Sequence, residues 1–246
     1  RMASLSKNEA NAVIQTSLDL GLNFFDHADI YGAGASEEIF ADAIGMNPSM
    51  REKMILQSKC GIRKGMFDFS KEHILTSVDG ILDRLKTEYL DVLLLHRPDT
   101  LMEPEEVAEA FTQLKKSGKV RHFGVSNQNP MQMELLSKYL EQDIVANQLQ
   151  LSITNTGMID NGVTVNMKVD NGVNRDGSVL EYCRLKDITI QAWSPFQYGM
   201  FEGVFLNNDK FPELNGVIDR IAAEKGASNT AIAVAAAQTG AHCGQQ

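Results

Sequence analysis

Asp91-Val-Leu-Leu-Leu95, Pro104-Glu-Glu-Val-Ala-Glu-Ala-Phe-Thr-Gln-Leu114 and Lys119-Val-Arg-His-Phe-Gly-Val125 follow one another along the chain. The first is an unbroken apolar run, the pattern of a strand covered on both faces rather than one. The second opens on a proline, which a first helical turn tolerates. The third is again a short, largely apolar run. A strand, a helix and a strand in that order build a parallel pair through a right-handed crossover.

The same unit repeats in both directions. Leu22–Phe25, Met54–Gln57, Ile144–Gln148 and Asp187–Trp193 read as further strands. Ser6 and Glu9 form a capping box ahead of Ala10, Val13, Ile14 and Leu18 at helical spacing, with Gly21 as the stop. A helix over Ser36–Ile44 carries Glu37 and Glu38 in its first turn, where the dipole favours them. Ser70 caps another with Ile74, Val78, Ile81, Leu82 and Leu85 on one face, and Pro130–Tyr139 makes five with the helix that Pro104 opens. Six regularly spaced strands, without a Gly-rich turn after the first, favour an α/β fold of the TIM (β/α)8-barrel type over a doubly wound sheet. No composition break divides residues 1–246, so one barrel domain is expected. Between Leu151 and Asp176 the pattern fails. Asn161-Gly162 and Asn171-Gly172 flank Val163–Val169, which predicts a hairpin excursion in a long loop on the C-terminal rim.

Of the 246 residues, 43% are hydrophobic and 22% charged, enough to form a core and too apolar for a disordered chain. No run approaches the length of a membrane helix, so no membrane partner is expected. A net charge of -9 argues against nucleic acid, whose binders gain from a basic face. Cys60, Cys183 and Cys243 make no CxxC pair, so neither a disulfide framework nor a metal site is signalled, which suits a cytoplasmic location.

In a barrel, functional groups come from strand C-termini and the loops after them. Those positions hold Asp26 to Gly32, Gln57 to Gly61, His96 to Asp99, Ser126 to Asn129, Asn147-Gln148 and Trp193 to Pro195. Asp, Tyr, Lys and His at one rim form a proton-transfer set. An ordinary tyrosine, with a pKa of about 10, trades protons poorly near neutrality. A lysine ammonium beside the hydroxyl favours the phenolate, a carboxylate keeps that lysine charged and aimed, and a histidine can orient a substrate oxygen. Such a set reduces a carbonyl only with a hydride from a cofactor. Asp26 and Asp29 both lie near enough to Tyr31 to serve as the carboxylate. His27, His73, His122 and Cys60 read as packing or surface residues.

Asn23-Phe-Phe-Asp-His-Ala-Asp-Ile-Tyr-Gly32 resembles the strand-two signature of the aldo-keto reductases. The likeness continues through Gln57-Ser-Lys59, Asp91-Val-Leu-Leu-Leu-His96-Arg-Pro-Asp99, Gly118-Lys-Val-Arg-His-Phe-Gly-Val-Ser-Asn127, Ala146-Asn-Gln148 and Gln191-Ala-Trp-Ser-Pro195, in the family's order. It is closest to the bacterial NADP-type oxidoreductase branch. The resemblance implies Tyr31 as proton donor, Lys59 as the group lowering its pKa, Asp26 as partner of Lys59, and His96 as the donor that orients a small carbonyl substrate. It further implies that Ser126, Asn127 and Gln148 hold the nicotinamide carboxamide of NADPH or NADH. Trp193 would then stack on the nicotinamide ring, and Ser194, Pro195, Phe196 and Gln197 would line the pyrophosphate. Where the family has a strand before Ser4, and an eighth strand with a 2'-phosphate-gripping segment after Ala235, this sequence shows neither, so a barrel incomplete at both termini is expected. A non-catalytic cofactor-binding subunit, or a truncated inactive chain, would share the resemblance. The intact set of Asp26, Tyr31, Lys59 and His96 favours the reductase.

Overall fold

Parallel strands need both faces covered, and the chain meets that need by following strands with helices. In the computed structural model, which describes residues 2–199 and 202–241, a 3-10 turn at Met2–Ser4 leads into α1 (Lys7–Asp19), β1 (Phe24–Asp26), α2 (Ala35–Ile44), α3 (Pro48–Arg51) and β2 (Ile55–Cys60). A two-stranded hairpin, β3 (Ile62–Arg63) and β4 (Met66–Phe67), precedes α4 (Lys71–Leu85), β5 (Leu90–Leu95), α5 (Pro104–Lys116), β6 (Val120–Ser126), α6 (Pro130–Ser137) and β7 (Ile144–Gln150). Next come α7 (Gly157–Val163), α8 (Val179–Leu185), β8 (Thr189–Trp193), α9 (Pro212–Lys225) and α10 (Asn229–Ala241). The chain forms two compact units, residues 1–146 and 147–246, with the boundary inside β7.

In the first unit β1, β2, β5 and β6 are neighbours in that order, all parallel. Phe24 pairs with Ile55, Gln57 with Val92, and Leu90 with Val120, so the strand C-termini gather at one edge. All six residues of β5 are buried, which explains its lack of alternation. Phe111 of α5 stacks on Phe123 of β6 with ring centroids 4.1 Å apart. Gly124 is required by a close approach: a Cβ there would lie 2.6 Å from Leu94 Cδ2 and 2.7 Å from the Ala146 carbonyl oxygen. The capping box of Ser6 and Glu9 forms, and Asn129 with Gln132 makes another.

Opposite the strand C-termini, Asp91 near the start of β5 ties the sheet together. Its Oδ2 accepts from Arg51 Nη2 at 2.6 Å and from the Leu56 amide at 2.9 Å, and its Oδ1 accepts from Arg121 Nη1 at 2.9 Å. Both guanidiniums also lie over the Tyr89 ring, 3.8 and 3.9 Å from its centroid.

The second unit holds the rest of β7 beside β8, and a core of Phe205, Ile218 and Ala233 with Phe196, Tyr198 and Phe211 packed on it. The predicted hairpin between Leu151 and Asp176 does not form. Asn161-Gly162 falls inside α7, where the Thr164 amide donates to the Asp160 carbonyl, and Asn171-Gly172 lies in a 3-10 turn closed by Gly172 N–H on Val169 O. The apolar residues between them, Val163, Val165, Met167 and Val169, are all more than half exposed, so they gain none of the burial a paired strand would give. Cys243 lies outside the described residues.

Removing Asp91 leaves Arg51, whose side chain is 5% exposed, as a buried charge without its carboxylate. Asp91→Ala should therefore cost about 3–5 kcal/mol of stability, as breaking a buried pair does. Loss of the exposed Arg63–Asp68 pair by Arg63→Ala should cost about 1 kcal/mol or less. Urea midpoints of the two variants check this, and equal losses would remove Asp91 from its central place.

Candidate active site

Strand alternation puts Gln57 and Lys59 on one face of β2 and Ser58 on the other. Lys59 is fully buried, and its ammonium has three protons to place. It donates to Asp26 Oδ2 at 2.7 Å, to the His27 carbonyl at 2.8 Å and to the Tyr31 hydroxyl oxygen at 3.3 Å. Gln57 Nε2 donates to the other carboxylate oxygen, Asp26 Oδ1, at 2.7 Å, so Asp26 is aimed from both sides. The backbone reinforces this placement: the His27 amide bonds Gln57 O and the Asp29 amide bonds Lys59 O, continuing the β1–β2 register into the loop. Of the two candidate carboxylates, Asp26 makes the ion pair with Lys59.

His96 follows β5 directly, with its ring edge-on to Tyr31 at 5.8 Å between centroids. Burial, with the positive charges of Lys59 and Arg97 behind it, pushes its pKa down to about 3, so the imidazole is neutral at ordinary pH. Its Nδ1 is buried with no hydrogen-bond partner among the described residues. Tyr31 is 38% exposed, and Asp26 at the end of β1 is exposed as well, while Lys59 and His96 are buried. Asp26, Tyr31, Lys59 and His96 are thus brought together in the first unit.

Ser126 ends β6 almost fully buried, and Asn127 follows in the left-handed region at φ 58° with its Nδ2 donating to Ser126 Oγ at 2.7 Å. The other cofactor candidates belong to the second unit. Gln148 on β7 is buried and donates through Nε2 to Gln191 Oε1 at 3.2 Å. Trp193, at the end of β8, is half-buried, and Ser194 takes φ 50°. Pro195 and Gln197 are half-buried, while Phe196 packs into the cluster around Phe205.

The remaining histidine and thiol near the site have packing roles. His27 is buried edge-on against Phe40 at 4.5 Å and pushed down to about 4 by that burial. The Cys60 thiol is buried and pushed well above its usual range, the reverse of a reactive thiolate. Three residues stand out that the sequence did not single out as parts of this site: Gln57, the half-buried Arg97, and Glu37. The first could have been found from its i, i+2 spacing to Lys59.

Asp29 lies behind Lys59, where burial first, and then the charge of Glu37, raises its carboxyl from 3.8 to about 7. Arg84 and Lys59 oppose that rise. Because the folded state holds this proton more tightly than the unfolded chain does, the associated stability is complete below about pH 4 and is lost as pH rises to about 7. Asp29→Asn carries no such proton, so it should gain stability relative to the parent across that window. Urea midpoints at pH 4, 5.5 and 7.5 measure it, and a pH-independent difference would refute the raised carboxyl.

Known proteins resemble this chain in sequence and in fold. The Aldo/keto reductase family profile matches residues 1–237. The uncharacterized oxidoreductase YcsN of Bacillus subtilis is 40% identical over 235 residues, spanning 91% of this chain and 72% of that one. A 6-dehydroglucose reductase of Agrobacterium fabrum is 32% identical over 244 residues, spanning 95% and 75%. A thermostable aldo-keto reductase solved with the inhibitor epalrestat superposes with a TM-score of 0.68 at 25% identity, covering 91% of this chain and 70% of its own. An aldo-keto reductase of Klebsiella pneumoniae solved with NADPH shares the fold, with a TM-score of 0.69 at 22% identity over 93% and 70%. These likenesses agree with the α/β, TIM-type fold class read from the strand pattern. The chain belongs to the aldo/keto reductase family of NAD(P)H-dependent oxidoreductases.

Proposed function

We propose that this chain reduces an aldehyde or ketone to an alcohol, with Tyr31 as general acid and NADPH as the reductant. The observation that carries the reading is the hydrogen bond from the buried Lys59 ammonium to the Tyr31 hydroxyl oxygen. An oxygen that accepts from an ammonium must send its own proton elsewhere, and Tyr31 is exposed, so that proton is available to a ligand. A carbonyl oxygen that becomes an alkoxide receives it. Neutral His96, beside Tyr31, offers one N–H to the same oxygen and cannot compete as a stronger acid. Asp26 and Gln57 keep the lysine in place while the proton moves.

Bound NADPH would supply the hydride. The polar side chains at the strand ends suit its carboxamide, which both donates and accepts: Ser126, Asn127 and Gln148 carry a hydroxyl and two amides with both capacities. Trp193 gives an aromatic face for the ring, and Ser194, Pro195, Phe196 and Gln197 form the stretch assigned to the pyrophosphate. One domain spanning residues 1–246, with 151–176 on its rim, is part of the same proposal. The Klebsiella pneumoniae enzyme solved with NADPH supports the cofactor. The Agrobacterium fabrum relative, named a 6-dehydroglucose reductase, puts sugar-derived aldehydes first in a substrate screen.

Titration with NADPH, followed by fluorescence of Trp193, the single tryptophan, should show saturable quenching, and an aldehyde should then drive NADPH oxidation. Tyr31→Phe should lower kcat by roughly 100- to 10,000-fold, the usual worth of a positioned proton donor, with NADPH affinity nearly unchanged. Trp193→Ala should weaken NADPH binding instead. Quenching without turnover across the aldehydes would replace the reductase by a cofactor-binding subunit, and a fully active Tyr31→Phe would discard the mechanism.

A further inference from the structure

Glu37 stands in the first turn of α2, where an acidic residue favours the helix dipole. That role does not require burial, since Glu38 beside it serves the dipole while exposed. Glu37 is 0% exposed, and a carboxylate is buried only at a cost that specific partners must offset. Its Oε1 accepts from Ser58 Oγ at 2.6 Å and its Oε2 accepts from Arg84 Nε at 2.8 Å. Ser58 is the residue before Lys59, on the opposite face of β2. Arg84 reaches in from α4 and runs along Gly34, where a Cβ would lie 2.8 Å from Arg84 Cδ. The backbone joins the same residues to the loop: the Ser36 amide donates to Tyr31 O at 3.2 Å, and the Glu37 amide donates to Gly34 O at 3.0 Å.

The loop that carries Tyr31 is therefore held at one end by the β1–β2 register and at the other by a single buried carboxylate. We propose that Glu37 is a positioning residue: by holding the Ser58 hydroxyl and the Arg84 guanidinium, it fixes the Asp26–Gly34 loop against β2 and so sets the distance between Tyr31 Oη and Lys59 Nζ. This rests on the reading of Tyr31 and Lys59 as the proton-delivering pair. That contact, at 3.3 Å, is already at the long end of the hydrogen-bond range, so slack in the loop breaks it. A misplacement of about 1 Å can cost on the order of 100-fold in rate. Glu37 meets β2 through Ser58, on the face opposite Gln57 and Lys59, so the proposed effect on the Tyr31–Lys59 contact is one of loop geometry.

The test compares Glu37→Ala, Glu37→Gln, Ser58→Ala and the double variant Glu37→Ala/Ser58→Ala, by steady-state kinetics with NADPH and an aldehyde, NADPH affinity, and peptide-resolved hydrogen exchange. Glu37→Ala should lower kcat about 10- to 100-fold with KM and NADPH affinity within about twofold, and should speed exchange in residues 26–36 but not in 90–95. Glu37→Gln keeps an acceptor for Ser58 and should recover part of the loss, while Ser58→Ala should add little to Glu37→Ala because both cut the same tie. If Glu37→Ala does not fold, Glu37→Gln and Ser58→Ala each still show the selective kcat loss. A lower melting temperature with parental kcat per folded molecule would overturn the proposal, as would unchanged exchange in residues 26–36. A parent chain that reduces no aldehyde would end the reductase reading while leaving the exchange comparison to decide the clamp.

Discussion

A lysine ammonium at zero exposure is the constraint on which the rest of the first unit depends. Lys59 has no water to turn to, so each of its protons must find an acceptor. Asp26, the His27 carbonyl and the Tyr31 hydroxyl supply the three. All three acceptors come from the end of β1 and the loop after it, while the donor comes from the end of β2. The pair of strands must therefore keep its register, and the loop must fold back over the neighbouring strand end. One ionic group thus converts a fold requirement, parallel strands ending at one edge, into a chemical arrangement.

The two faces of β2 divide the labour. Gln57 and Lys59 look to the side of Asp26 and Tyr31, and Ser58 between them looks to Glu37 and Arg84. A single strand therefore presents the lysine and anchors the loop. The opposite edge of the sheet is organised by a second carboxylate, Asp91, which gathers Arg51, Arg121 and the Leu56 amide. Two carboxylates of this unit are buried, Glu37 and Asp91, and each meets a guanidinium donor with good geometry. Asp29 is half-buried, and its carboxyl is raised by that burial first and by the charge of Glu37 second.

Much of this was legible before any coordinates. Strands covered on both faces are written as apolar runs, so Asp91–Leu95 and Lys119–Val125 stand out, and functional groups at strand ends can be read from those boundaries. Tyr31, Lys59 and His96 are legible for that reason. Strand ends alone leave Asp26 and Asp29 both open, the family resemblance points to Asp26, and the ion pair with Lys59 is made by Asp26. Glu37 was hidden because an acidic residue in a first helical turn has an ordinary explanation, and nothing local reveals that Ser58 and Arg84 close over it. The hairpin expected around Val163–Val169 failed because Asn-Gly pairs signal a change of direction without guaranteeing a partner strand. The real hairpin, Ile62–Arg63 with Met66–Phe67, has two residues in each strand and is too short to show a period.

The central claim is that Lys59 and Tyr31 act as one unit in delivering a proton. A double-mutant cycle of Lys59→Met and Tyr31→Phe, scored by kcat for NADPH-dependent aldehyde reduction with cofactor affinity as the control, tests it most directly. Residues acting as a unit lose nearly the whole effect when either is removed. The account predicts that the double variant is no slower than the slower single variant, with NADPH binding retained throughout. Losses that multiply would mean that the two residues contribute separately, and the account would be wrong.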